Sequence, residues 1–133
     1  MLFSLDGLRA MITGGAGAIG KKTAIEMARQ GADIVIADVR QEALESAQKE
    51  IKDATGKTID IINCDLLNVE NTRDLFSKAE GQFGQIDILV NNAGIDRDKL
   101  LMKMTEDDLE IVMNVNLRAA FTLTKSAARP NVR

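Results

Sequence analysis

Leu8-Arg9-Ala10-Met11-Ile12-Thr13-Gly14-Gly15-Ala16-Gly17-Ala18-Ile19-Gly20 is the stretch that decides the fold. An apolar run of strand length, 8–12, leads straight into Gly15-x-Gly17-x-x-Gly20, and the turn opens a helix that begins at Ala18. Glycine carries no Cβ, so a phosphate can approach this backbone closely, and the free N–H groups and positive end of the helix then face its charge. In this strand-turn-helix setting the triplet suits a dinucleotide. Two other readings use the same residues. One is a tight turn with no ligand. The other is the phosphate loop of ATP and GTP enzymes, but Lys22 stands where a Ser or Thr should ligate magnesium, and Thr23 comes one residue late.

Outward from this turn, short apolar runs alternate with longer segments of helical period, the pattern of parallel β-α-β units. Strands are expected at 8–12, 33–38, 58–63 and 86–91. Helices are expected at 18–30, 41–54 and 69–83, each followed within two residues by a glycine stop signal, Gly31, Gly56 or Gly84. A fourth helix is expected to start after Thr105, where Thr105-Glu106-Asp107-Asp108 reads as a capping box with aspartate in the acceptor position, and to run to about Arg129, before Pro130. Right-handed crossovers then predict a doubly wound parallel sheet of Rossmann type, three layers α/β/α, with strand order 3-2-1-4. Its winding reverses between the first and fourth strands, so a crevice opens at their carboxyl ends. No linker or repeat divides the chain, and residues 1–133 are expected to form one domain.

Composition narrows the partners. The 133 residues are 45% apolar, enough for one core, and carry a net charge of −3 with acidic and basic residues interspersed. Such a surface offers phosphate backbones no basic field, so nucleic acid is excluded as a partner. No uninterrupted apolar stretch of about 18 residues is present and the N-terminus lacks a basic leader, which predicts a cytoplasmic protein without membrane contact. One cysteine, Cys64, forms no internal disulfide, and the absence of histidine argues against a metal site.

Asp38 ends the second strand 18 residues after Gly20, where a dinucleotide fold places a carboxylate against the adenosine ribose. A carboxylate there repels the extra phosphate of NADP, and no basic residue sits between Gly14 and Gly20 to attract it. NAD is therefore the expected cofactor and NADP the less favoured one, with Arg40 close enough to matter. The plainer reading makes Asp38 a cap for the helix at 41. Asp65, after the third strand, lies at the same sheet edge and could accept a bond from the adenine amino group, or serve only as a turn residue.

The fourth strand ends in Asn91-Asn92-Ala93-Gly94. With Thr13-Gly14-x-x-x-Ala18-x-Gly20 and Asp65, the chain resembles the short-chain dehydrogenase/reductase family, as its N-terminal portion. The stretch from Asn91 to Met104 is most similar to the 3-oxoacyl-[acyl-carrier-protein] reductases of fatty acid biosynthesis, although Gly17 and Asp38 depart from the NADP pattern common there. The resemblance implies that Gly14, Gly15, Gly17, Ala18, Ile19 and Gly20 hold the diphosphate, with Ile19 beneath the nicotinamide side. It further implies that Asp38 holds the ribose, that Asp65 and Leu66 flank the adenine, and that Asn92, Ala93 and Gly94 line the other wall. Of the family's Asn, Ser, Tyr and Lys tetrad, the match of Asn-Val-Asn-Leu puts the asparagine at Asn116. That amide also falls on an expected apolar stripe of Leu109, Val112, Met113, Ala120 and Leu123, where an unsatisfied polar group costs about 1–3 kcal/mol.

Family members move a hydride between nicotinamide and a carbonyl or alcohol carbon while a tyrosine handles the proton. This chain contains no tyrosine. The expectation is a cofactor-binding portion of an oxidoreductase that acts on a 3-oxoacyl thioester or similar carbonyl substrate, itself inactive and ending before the fifth strand. A non-catalytic dinucleotide-binding or regulatory module is the alternative. The fourth strand would then be an apolar edge, and the last helix, apolar almost all round with Ile111, Val115, Leu117 and Phe121, would support a homo-oligomer.

Overall fold

The structure, a computed structural model, describes residues 4–94 and 101–128, excluding the Leu101 side chain. Four strands, β1 (Arg9–Thr13), β2 (Asp33–Asp38), β3 (Asp60–Asn63) and β4 (Ile88–Val90), form one parallel sheet in the order β3-β2-β1-β4. This is the predicted order. Between the strands run α1 (Ala18–Arg29), α2 (Gln41–Thr55) and α3 (Val69–Phe83). Gly31, Gly56 and Gly84 end these helices with φ of +101°, +78° and +99°.

Alternation along the strands builds two cores, one on each face of the sheet. Ala10, Ile12, Ile34 and Ile36 pack with Ala24 and Ala28 of α1 and Leu44, Ala47 and Ile51 of α2. On the opposite face Met11, Val35, Ala37 and Ile62 pack with Leu75, Phe76 and Ala79 of α3 and with Leu123. Both faces are covered, so residues 10–12 of β1 and 34–37 of β2 are apolar without interruption.

Two strands are shorter than the sequence predicts. Thr58 and Ile59 precede the pairing, which begins with Asp60 opposite Val35. β4 loses residues at both ends because other partners claim them. The Ile86 N–H donates to Glu80 Oε2 at 3.0 Å, and Asp87 Oδ2 accepts from the Arg9 N–H at 3.0 Å. At the far end the Asn92 N–H turns back onto the Val90 carbonyl at 3.0 Å, closing the strand.

The last helix departs further from expectation. The capping box is present, with Thr105 Oγ1 accepting from the Asp108 N–H at 3.1 Å and Asp108 Oδ2 accepting from the Thr105 N–H at 3.0 Å. After α4 (Glu106–Met113), however, one π-helical turn (Asn114–Arg118) intervenes before α5 (Ala119–Ala128), and the Ala119 N–H donates to the Asn114 carbonyl five residues back. The wider turn breaks the single α period assumed for the apolar stripe. Asp108, Ala119 and Leu123 are buried, whereas Leu109 and Met113 are exposed, as are Leu117 and Phe121. The expected stripe is therefore not one buried face, and Asn116 is exposed in the middle of the π turn. The expected helix end near Arg129 and the 95–100 part of the loop match lie outside the described residues.

Candidate cofactor site

The carboxyl ends of the four strands converge on a cavity of about 540 Å³, within the range that small-molecule and cofactor sites occupy. Its floor is set by the joint between β1 and β4. Thr13, fully buried, accepts hydrogen bonds at Oγ1 from the backbone N–H groups of Asn92 (3.1 Å) and Ala93 (3.0 Å) and donates to the Val90 carbonyl at 3.4 Å. In the other direction the Asn92 side-chain amide donates to the Gly14 carbonyl at 3.2 Å. One threonine and one asparagine thus lock the glycine turn to the loop leaving β4.

That lock explains the glycines. Gly14 has φ of +64°, and a Cβ on it would stand 2.9 Å from the Ala93 Cα. Gly15 and Gly20, which the resemblance places with the diphosphate, face inward and do not line the cavity. A Cβ on Gly15 would overlap Ile36, and one on Gly20 would meet the Gly14 carbonyl and lie 2.7 Å from the Asn92 amide nitrogen. At both positions the missing Cβ permits close packing of helix on strand.

Gly14, Gly17, Ala18 and Ile19 do line the cavity. Gly17 is the N-cap of α1 and offers no side-chain acceptor, and the first turn of α1 contains no acidic residue. The amides and positive end of α1 are therefore left to an anion from the cavity. Ile19, 75% exposed, projects beside them.

Across the cavity Asp38 has a side chain only 8% exposed, and both its oxygens are engaged by Arg40. Oδ1 accepts from the Arg40 backbone N–H and from Nε, each at 3.2 Å, and Oδ2 accepts from Nη2 at 3.3 Å. Burial alone would raise the carboxyl pKa, but the hydrogen bonds and charge of Arg40, with the Val39 amide, prevail and hold it below the usual aspartate value. Asp38 therefore also braces Arg40, the N-cap of α2. Asp65 lines the cavity while Oδ1 accepts from the Leu67 N–H at 3.0 Å, which makes it a turn residue as well. Leu66 lines the same wall. Cys64, buried beneath it, has its thiol pKa pushed up to about 11, chiefly by burial.

Asn92, Ala93 and Gly94 line the opposite wall with Val115, the neighbour of Asn116. Asn116 itself does not line the cavity. Its Oδ1 lies 3.2 Å from where a Cβ on Gly94 would stand, so it abuts the rim at that glycine. Ala37, Val39, Arg40, Cys64, Leu67 and Val115 also line the cavity and were not singled out as ligand residues. Among these, Arg40 carried a legible signal, an arginine two residues after the strand-ending aspartate. Among the described residues no group of histidine, cysteine and carboxylates could hold a metal, and no helix is long and apolar enough to cross a membrane.

A sheet wound 3-2-1-4, a glycine turn under an open helix N-terminus and a carboxylate at the end of β2 define a dinucleotide-type α/β protein. The chain belongs to the short chain dehydrogenase family, whose model matches residues 9–131. It is 39% identical over 121 residues to a 3-oxoacyl-[acyl-carrier-protein] reductase of Thermotoga maritima, covering 91% of this chain and 49% of that one. It is 38% identical over 127 residues to 3beta-hydroxysteroid dehydrogenase 2 of Eggerthella lenta, covering 94% and 48%. Among solved structures, a short-chain type dehydrogenase/reductase from Mycobacterium marinum superposes with a TM-score of 0.88 at 34% identity, covering 96% of this chain and 51% of that one. An NAD+-bound xylitol dehydrogenase gives 0.86 at 30%, covering 96% and 49%. The chain spans about half the length of the relatives it matches.

Proposed function

We propose that the cavity holds a nicotinamide dinucleotide, NAD(H) in preference to NADP(H), for an oxidoreductase acting on a carbonyl or alcohol carbon. The observation that carries this reading is the continuity of one cavity from the uncapped first turn of α1, past Asp38, to Asp65 and the Asn92–Gly94 wall. An elongated ligand with a diphosphate, a ribose and an adenine meets matching chemistry along that path: amides and a positive helix end, a carboxylate, and an apolar wall with one carboxylate. Bound there, the cofactor supplies the hydride chemistry. The protein's part is to bind and orient it.

The family's reductases make a 3-oxoacyl thioester the leading substrate class, consistent with the Thermotoga maritima relative. Asn116, beside Gly94 in a π turn, is the residue the resemblance matches to the asparagine of the family's tetrad, and π turns inside helices concentrate at functional sites. The 133 residues contain no tyrosine, so by themselves they are expected to bind cofactor without turnover. Self-association fits the exposed apolar residues Leu109, Met113, Leu117 and Phe121, spaced every four residues. Calorimetric titration with NADH, NADPH and ATP tests the ligand class. NADH is expected to bind most tightly, and ATP binding in preference to both would contradict the reading.

A further inference from the structure

We propose that Asp87 is a positioning residue for the cofactor cavity, acting from the opposite edge of the sheet: its grip on Arg9 fixes where β4 stands along β1, and hence where the Asn92–Gly94 wall stands. The inference rests on the cavity being a nicotinamide dinucleotide site. β4 is three residues long, pairs with β1 alone among the described strands, and leads into the cavity wall two residues after Val90. Ile88 and Val90 pack on one face of the sheet and Leu89 on the other. A slip of two residues would keep those faces, but it would set Asp87 or Asn91 opposite Met11, which is fully buried. The apolar triplet is therefore placed by its polar bounds.

At the amino end attraction adds to this exclusion. The Arg9 N–H donates to Asp87 Oδ2 at 3.0 Å and the Asp87 N–H donates to the Arg9 carbonyl at 2.8 Å, so the two residues hold each other at two points. The Gln85 side-chain amide donates to Asp87 Oδ1 at 3.0 Å and orients the carboxylate. The connection ahead of β4 is wound round the same arginine. Its Nη1 donates to the Gln85 carbonyl at 3.5 Å and passes over Gly84, where a Cβ would stand 2.6 Å from that nitrogen. Nη2 lies 3.7 Å from Asp33 Oδ2, which ties the arginine to β2. At the far end Thr13 receives the N–H groups of Asn92 and Ala93. Arg9 and Thr13, the first and last residues of β1, thus hold β4 from its two ends. One step of register is about 3.3 Å, more than the Thr13 hydrogen bonds tolerate, so a β4 freed at its amino end carries the error into the wall.

NADH titration, together with amide resonances recorded before NADH is added, tests the proposal on the unaltered chain, Asp87→Ala and Asp87→Asn at a temperature where each is fully folded. Asp87→Ala should weaken NADH binding about three- to tenfold, the range that one lost hydrogen bond spans. It should also move or broaden the Asn92 and Ala93 amide resonances of the free protein. Asp87→Asn keeps an acceptor for the Arg9 N–H, so it should bind NADH within about twofold of the original, with those resonances in place. A role confined to stability would lower the urea midpoint of Asp87→Ala and leave both readings unchanged. That result overturns the proposal, as does either change without the other, or an asparagine variant as impaired as the alanine one. Should Asp87→Ala not fold, Asp87→Glu, which keeps the charge but sets the carboxylate one methylene further out, replaces it with the same outcomes. Failure of the unaltered protein to bind NADH overturns the underlying site assignment instead, while the Asn92 and Ala93 resonances still report whether Asp87 holds the wall.

Discussion

The Thr13 hydroxyl lies 3.0 Å from the backbone nitrogen of Ala93, 80 residues away in sequence, and it joins the glycine turn after β1 to the loop after β4. With the Asn92 side-chain amide on the Gly14 carbonyl, this buried oxygen holds the glycine turn against the Asn92–Gly94 wall. Thr13→Val keeps the shape but removes the acceptor and strands a buried N–H, at a cost of about 1–3 kcal/mol. Urea denaturation should show that loss, and Thr13→Ser should recover most of it. Equal stability of the valine variant and the original would mean that the joint is held by other contacts.

Gly14→Ala tests the turn itself. A side chain at φ of +64° costs about 1–2 kcal/mol, and here the new Cβ would also press on the Ala93 Cα. A lower Tm and weaker NADH binding are expected together. A variant that loses neither would show that the turn can relax without consequence.

Asp38 makes stability depend on pH. Burial pushes its carboxyl pKa up, but the Arg40 hydrogen bonds and charge pull it below the usual value, so the folded state favours the ionised form. The resulting stabilisation is fully present above the ordinary aspartate range, near 3.8, and is lost as pH falls through the depressed folded value. Unfolding free energies measured between about pH 5 and 3 should fall less steeply for Asp38→Asn than for the original protein. Parallel curves would contradict the assignment.

Cys64 should be a sluggish nucleophile. With its pKa near 11 and its side chain buried, about one thiol in a thousand is ionised at pH 8. Reaction with a thiol-specific disulfide reagent should be slow at pH 8 and accelerate through pH 10. Rapid stoichiometric labelling at neutral pH would place the thiol in a different environment.

The strand order and the location of the crevice were legible because they follow from hydrophobic alternation and crossover handedness, which short windows of sequence display. Gly15 and Gly20 mark what sequence does not separate: a glycine needed for contact with Ile36 or the Gly14 carbonyl looks the same in sequence as one needed for a ligand. The π turn was not legible either. The apolar spacing around Asn116 fits an α period, and only the packing of Ala119 and Leu123 against the rest of the chain shows where the extra residue is absorbed. Arg40 illustrates a third case, since its type and place were visible but its fork-like grip on Asp38 required coordinates.

The central claim is that the first turn of α1 and the end of β2 grip the two ends of a dinucleotide's adenosine diphosphate. Backbone amide chemical shifts followed during NADH titration test it residue by residue. Saturating shifts are expected at Gly17, Ala18, Ile19, Asp38 and Asp65, with little change at Gly56, the C-cap of α2, or at Gly81 in the last turn of α3. Shifts absent from the glycine turn at saturating NADH, or concentrated away from the carboxyl ends of the strands, would contradict it.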